Sequence, residues 1–252
     1  MKLSEIQGFD SKEILFMVKF TQERFVESLV NGNLYMNPIK YFVELEEKTK
    51  IKGQGDKFEG ANVIRDFNFT LYKHGTKEKV GEGYSDLLVE RNHYYDDLPI
   101  FCITAFTPQD FKVVNETDEI LSLVFDLDEQ DKSVMEETFG EKAIVINAAE
   151  FMNSVDAHMI NNNLAYSARL VDYFDYSVNH EARIRDYGKS VSSLFVKDDF
   201  FKHQREYRIA LLDQRKDEGF NLKIDNFNIK MPLVLETKDF FENFGLDVRK
   251  RS

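Results

Sequence analysis

Along the first 40 residues the spacing of apolar positions changes period twice. Ile14 to Phe20 is dense in β-branched and large apolar side chains, as a buried strand is, and Phe25, Val26, Leu29 and Val30 then recur at helical spacing. Thr21 stands where its hydroxyl predicts an N-cap, with Arg24 at the position where a capping box would carry Glu. Asn31-Gly32-Asn33 predicts a left-handed C-cap, and Leu34 to Met36 begins a second extended piece that Asn37-Pro38 closes. The opening therefore predicts strand, helix, strand.

Ile39 to Leu45 predicts a short helix or turn, and residues 48–60, KTKIKGQGDKFEG, a loop with charge and glycine but no period. Alternation over Phe67 to Tyr72 predicts a strand, turned back at His74-Gly75 toward Val80. Pro99 to Phe106 and Ile120 to Leu127 are the strongest later strands, and both are expected to be central. Glu141 to Asn147 predicts another, followed by a helix over Ala148 to Ile160 with Phe151, Val155 and Met159 on one face. Leu170 to Tyr176 alternates again, and a charged helical stretch is expected near Lys197 to Lys202. Glu206 to Leu212 and Met231 to Leu235 complete the strands, before a helix around Lys238 to Phe244. The sum predicts an α+β fold, with a mixed, largely antiparallel sheet core and peripheral helices. Four prolines, no linker-like composition and no repeat predict one domain over 1–252.

Composition adds an aromatic core: 23 Phe and 11 Tyr with no Trp, a buried Phe contributing roughly 1.5–3 kcal/mol. The formal charge of -12 repels a phosphate backbone, which excludes bulk nucleic-acid coating. A run containing Arg183, Arg185, Lys189, Lys197, Lys202, Arg205 and Arg208 is interrupted by acids and is expected to form a solvated mixed-charge face. With Cys102 as the sole cysteine there is no internal disulfide, and acids precede the first short apolar run; together with the lack of any apolar run near the ~18–20 residues of a membrane span, this predicts a cytoplasmic protein with no membrane partner.

No Gly-rich phosphate loop, H-E-x-x-H or G-x-S-x-G is present, which removes P-loop hydrolysis, zinc proteolysis and the serine-hydrolase elbow. Cys102 lies in an apolar strand pattern and is expected to be an inert buried thiol. No metal site is predicted, although Asp56, Glu59 and Glu206 leave Mg²⁺-dependent nuclease action as a minor alternative. The candidate site joins the two ends of the chain. Lys19 leaves the first strand, Tyr35 and Asn37 close the second, and Glu206 opens a late strand between Arg205 and Arg208. A carboxylate at a strand edge can bond a ribose 2′-hydroxyl and stabilise the cation that develops as nicotinamide leaves, while a tyrosine stacks on the ring. Glu206, Tyr35 and Lys19 are the catalytic candidates; Asn37, Asp56, Glu59, Arg205 and Arg208 are the ligand-binding candidates. The opposing expectation makes Glu206 a surface salt-bridge partner of its neighbouring arginines and Tyr35 a core aromatic.

Three islands carry a family likeness. Leu34, Tyr35 and Pro38, then Asp56, Phe58, Glu59 and Gly60, then Glu206, Tyr207, Arg208 and Ile209 resemble an uncharacterised family of bacterial and prophage proteins associated with abortive infection, in order and spacing. The chain is more weakly similar to ADP-ribosyltransferases, whose split sheet opens strand, helix, strand and places a catalytic glutamate on a late strand; Lys19 stands where they usually carry His or Arg. The resemblance implies a phage or phage-defence context and an NAD or nucleotide ligand. The alternative is a binding module without catalysis, capturing a nucleotide signal or docking a basic protein partner through exposed Tyr94-Tyr95 and Asp96-Asp97.

Overall fold

In a computed structural model of the chain, all residues are described here except 51, 188–190, 228, 230, 231 and 251–252. In chain order the elements are β1 (Phe16–Thr21), α1 (Glu23–Val30), β2 (Asn33–Pro38), α2 (Ile39–Thr49), β3 (Ala61–Tyr72), β4 (Lys79–Arg91), β5 (Pro99–Phe106), β6 (Phe111–Glu116), β7 (Ile120–Phe125) and α3 (Glu129–Phe139). There follow β8 (Lys142–Ile146), α4 (Ala148–Asn161), β9 (Tyr166–Leu170), β10 (Asp172–Phe174), α5 (Glu181–Asp186), β11 (Val196–Asp198), β12 (Glu206–Leu211), β13 (Phe220–Lys223), β14 (Leu233–Glu236), α6 (Thr237–Asn243) and β15 (Gly245–Arg249). The class is α+β and the pairing largely antiparallel, β10 with β11 being parallel.

The main sheet has eight strands in the order β13-β2-β5-β1-β8-β14, with β12 pairing both β5 and β9. One edge of β5 carries β12 along most of its length. The other edge is shared. Phe16 to Val18 of β1 face Phe106 to Thr104, whereas Asn37 and Pro38 of β2 face Ile100 and Pro99. Among the described residues neither strand pairs with Phe101 to Ile103, because β1 continues alongside β8 instead. The sheet is split there, with α1 carrying the chain from one side of the gap to the other.

Three apolar clusters fix this frame. One face of the sheet packs Met17, Phe101, Ile103, Ile209 and Leu211 against Phe151, Val155 and Met159 of α4, the stripe predicted from spacing. A phenylalanine cluster joins β1 and β5 to the three-stranded sheet β15-β7-β6 and to α6. Behind the split, Ile39, Leu98, Ile100, Phe195 and Ala210 form a smaller cluster.

Several local expectations are corrected. Thr21 is the last residue of β1; α1 is capped at Gln22, and the Glu23 amide donates to Glu141 Oε1 across the molecule at 2.9 Å, so a tertiary acceptor replaces the local one. The helix after Pro38 runs on to Thr49 rather than ending near Leu45, closed by Lys50 in the left-handed region. β7 is central only to the small sheet. Leu170 to Tyr176 contains the end of β9 and all of β10, and the charged stretch at 197–202 is β11 leading into a 3-10 turn at Asp199–Gln204. Met231 lies outside the described residues; the last predicted strand is seen as β14. The turn at His74-Gly75 belongs to a long hairpin arm, β3 with β4, whose tip leaves Leu71, Tyr72, Val80 and Tyr84 exposed.

Phe240 is fully buried and its ring meets those of Phe16, Phe20, Phe106, Phe125, Phe241 and Phe244. Phe240→Ala is expected to destabilise the fold by about 3–5 kcal/mol in urea denaturation, the cost of a large cavity in a packed core. A loss under about 1 kcal/mol would mean the cluster does not join the two sheets.

Candidate functional site

The split is a cleft of about 580 Å³ whose lining comes from both ends of the chain. Strand alternation sorts the side chains. In β2 the apolar Leu34 and Met36 are buried, while Asn33, Tyr35 and Asn37 project into the cleft beside Asn221, which pairs with Tyr35 across β13. In β12, Glu206 and Arg208 share the face opposite Ile209 and reach the cleft floor. Phe25 of α1 and Tyr41 and Phe42 of α2 close the sides.

Four charges make the floor. Arg208, 1% exposed, sets Nη1 at 2.7 Å from Glu59 Oε1 and Nη2 at 2.6 Å from Glu206 Oε2, and its Nη1 also donates to the Leu194 carbonyl. Lys197 Nζ lies 2.8 Å from Glu206 Oε1 and 3.7 Å from Glu59 Oε2, and it donates to Gln204 Oε1. Two acids thus meet two bases with no formal charge left over. Burial alone would raise the pKa of Glu206, but Lys197 and Arg208 outweigh it and hold the carboxyl down at about 2. For Lys197, burial works downward and is overcome by Glu206 and Glu59, so its pKa is raised.

The loop ahead of β3 delivers Glu59. Asp56 Oδ1 accepts the Phe58 amide at 2.9 Å, Glu59 N donates back to the Asp56 carbonyl, and Gly60 supplies a φ of +70° that frees the chain to enter β3. The D-x-F-E-G island is therefore a folded turn with a buried acid at its tip. Asp56 and Glu59 are 2% and 1% exposed, so neither is a solvated loop acid. Burial, then the charge of Glu59, pushes the Asp56 carboxyl up to about 7.

Lys19 enters from the other side of the gap. Its Nζ donates to the Cys102 carbonyl at 2.7 Å and lies 4.9 Å from the centre of the Phe101 ring. A side chain thus occupies the acceptor that a neighbouring strand would have used. Burial lowers the Lys19 pKa, with Cys102 and Glu206 pulling the other way. Burial also raises the Cys102 thiol to about 12, so it is no nucleophile near neutral pH.

Of the eight residues singled out from sequence, Lys19, Tyr35, Asn37, Glu59, Glu206 and Arg208 line this one cleft. Two do not. Asp56 supports the turn beneath it, and Arg205, in the left-handed region at φ 47°, turns the other way to Asp110 at 2.7 Å and Asp131 at 3.4 Å. Both opposing expectations also change. Tyr35 is 56% exposed, so it is no core aromatic, and the Glu206–Arg208 pair is buried instead of lying on the surface. The mixed-charge face is only partly solvated, since Arg183, Lys197 and Arg208 are buried; Lys189 lies outside the described residues. Tyr94 is exposed but Tyr95 is buried, which removes half of the proposed tyrosine docking pair. Lys197, Gln204, Asn33 and Asn221 were not found from sequence; only the period-2 alternation of β2 could have pointed to Asn33.

Among the described residues no three His, Cys, Asp or Glu side chains converge as a metal ion would require. No helix among them is long and apolar enough to cross a membrane. Comparison with protein-family models, curated proteins and solved structures finds no significant match.

Arg208→Met is expected to cost about 3–5 kcal/mol in denaturant, because it leaves Glu59 and Glu206 buried against one lysine; adding Glu59→Gln should recover part of that loss. Equal stabilities of the single and double variants would count against the network. Asp56 titrates in the opposite sense to Glu206. With a folded pKa near 7 above an ordinary unfolded value, it contributes full stability below about pH 4, and this is lost as pH rises through about 7. Asp56→Asn should therefore gain on the wild type by roughly 1–3 kcal/mol between pH 5 and pH 8, read from urea midpoints at each pH. A pH-independent difference would contradict the raised pKa.

Proposed function

We propose that the split between β1 and β2 binds a nucleoside-type ligand of low net charge, NAD among them, and does so chiefly as a binding site. The observation that carries this reading is the exposure of aromatic rings inside a cleft with a polar floor: Phe25, Tyr35 and Tyr41 are 49%, 56% and 42% exposed. The Arg24 guanidinium already lies over Phe25 and Phe42 meets Tyr41 edge-on, which makes the half-exposed Tyr35 ring the natural platform for a flat heterocycle to stack on. Asn33, Asn37 and Asn221 bring amides, each with two donors and an acceptor, to meet the hydrogen-bonding edge of such a ring.

Charge sets the ligand class. Lys197 and Arg208 are already neutralised by Glu59 and Glu206, which leaves Lys19 as the cation of the cleft with no carboxylate in ion-pair contact among the described residues. One lysine suits a dinucleotide or nucleoside better than a triphosphate.

Glycosyl transfer is the second reading, and it rests on Glu206 opening onto the same cleft as Tyr35. A carboxylate offers about four acceptor positions, so Glu206 can still take a ribose hydroxyl. Its two cations at 2.6–2.8 Å nevertheless offset the negative potential that would stabilise a developing oxocarbenium ion. That is why binding is the main reading. The abortive-infection context remains part of the proposal, as the setting in which a captured nucleotide would act as a signal.

Calorimetry with NAD, adenosine and ATP should give saturable binding of the first two, weaker binding of ATP, and a loss of about tenfold in Tyr35→Ala, the usual scale for one stacked base. Glu206→Gln should bind comparably, and the wild type should release no nicotinamide from labelled NAD. Release by wild type that Glu206→Gln abolishes would establish transfer instead; no binding of any of the three would reject the cleft as a nucleoside site.

A further inference from the structure

A second cavity lies behind β11. Alternation along that strand sends Lys197 to the cleft and Val196 to a pocket of about 220 Å³, also lined by Asn62, Arg169, Asp172, Arg183 and Ser193. At about 30 Å³ per water molecule this is room for roughly seven, enough for a small polyatomic ion with its hydration.

Its polar groups are those of an anion site. Arg183 is 6% exposed, yet among the described residues no carboxylate lies within ion-pair distance of it. Its partners are neutral: Nη1 donates to Asn62 Oδ1 at 3.3 Å, Nη2 to the Val178 carbonyl at 3.2 Å, and the guanidinium sits 4.7 Å from the Tyr176 ring centre. Among the described residues, Arg183 Nε and the hydroxyl of Ser193, itself 5% exposed, have no partner. Arg169 reaches the pocket from an exposed position in β9, spending one N–H on the Ser192 carbonyl at 3.3 Å. Among the described residues of the lining, Asp172 is the one carboxylate, against two guanidinium groups. In a chain of formal charge -12, a buried arginine without a counter-ion is costly unless an anion visits it.

We infer that this pocket binds a phosphoryl group, with Arg183 and Arg169 as its cationic ligands and the Ser193 hydroxyl as a further donor. Planar guanidinium forks match the spacing of phosphate oxygens, and a dianion offsets the excess positive charge that Asp172 leaves. The site is separate from the nucleoside cleft and does not depend on it.

Inorganic phosphate is the probe, followed by calorimetry and by ³¹P line broadening, with chloride at matched ionic strength as the control. The wild type should bind phosphate saturably and be raised in Tm by phosphate but not by chloride. Arg183→Met and Arg169→Gln should each lose about tenfold in affinity. Because Arg183 is buried and its replacement can unfold the protein, the exposed Arg169 carries the test in that event. Phosphate affinity unchanged in Arg169→Gln, or equal stabilisation by chloride, would overturn the inference. Titration with adenosine monophosphate and with phosphoserine then separates a free phosphate from a phosphate monoester: tighter binding of either, lost in Arg169→Gln, supports a monoester as the physiological source.

Discussion

Arg208 cannot be buried alone. Its guanidinium is 1% exposed at the centre of the sheet, and taking such a charge out of water costs several kcal/mol unless acids meet it directly. Glu59 and Glu206 supply that contact from opposite ends of the sequence, and Lys197 then balances the second acid. The turn before β3, the 3-10 turn before β12 and the short strand β11 are all held in place by what they bring to this cluster. Apolar side chains of the same volume could pack there without penalty. Charges in their place keep a polar floor under a cleft that would otherwise close as core.

The gap above that floor has an equally simple cause. β1 and β2 both run antiparallel to β5 and contact different parts of the same edge, so the middle of that edge is left to Lys19 and to the cleft. Rings exposed on one side and neutralised charges on the other give a site that favours flat, polar, weakly charged ligands. Behind β11 the balance is reversed, with two arginines facing a single aspartate among the described residues. Adjacent residues of one three-residue strand thus divide two chemically different cavities.

Much of this was legible in the sequence where a local period controls the structure. The strand-helix-strand opening, the α4 stripe of Phe151, Val155 and Met159 and the apolar PIFCITAF strand each follow from spacing alone. The convergence of Lys19, Tyr35 and Glu206 does not follow from spacing: Lys19 and Tyr35 lie inside β1 and β2, Glu206 opens β12, and the shared cleft is made by the pairing of distant strands. What stayed hidden depends on distant partners. The cap of α1 comes from Glu141, more than a hundred residues away, and the apolar-polar alternation of β13 and β15 is confined to four and five residues, too few to mark a strand. Lys197 looks in sequence like any lysine of a solvated run; its burial is set by Glu206, which no local pattern reveals.

Amide chemical shifts followed by NMR during titration with NAD test the central claim most directly. If the split is the binding site, perturbations should concentrate at residues 19–21, 33–37, 101–103 and 206–208 and leave β15 and the β3–β4 arm unmoved. Shifts confined to that arm, or none at saturating ligand, would contradict the account.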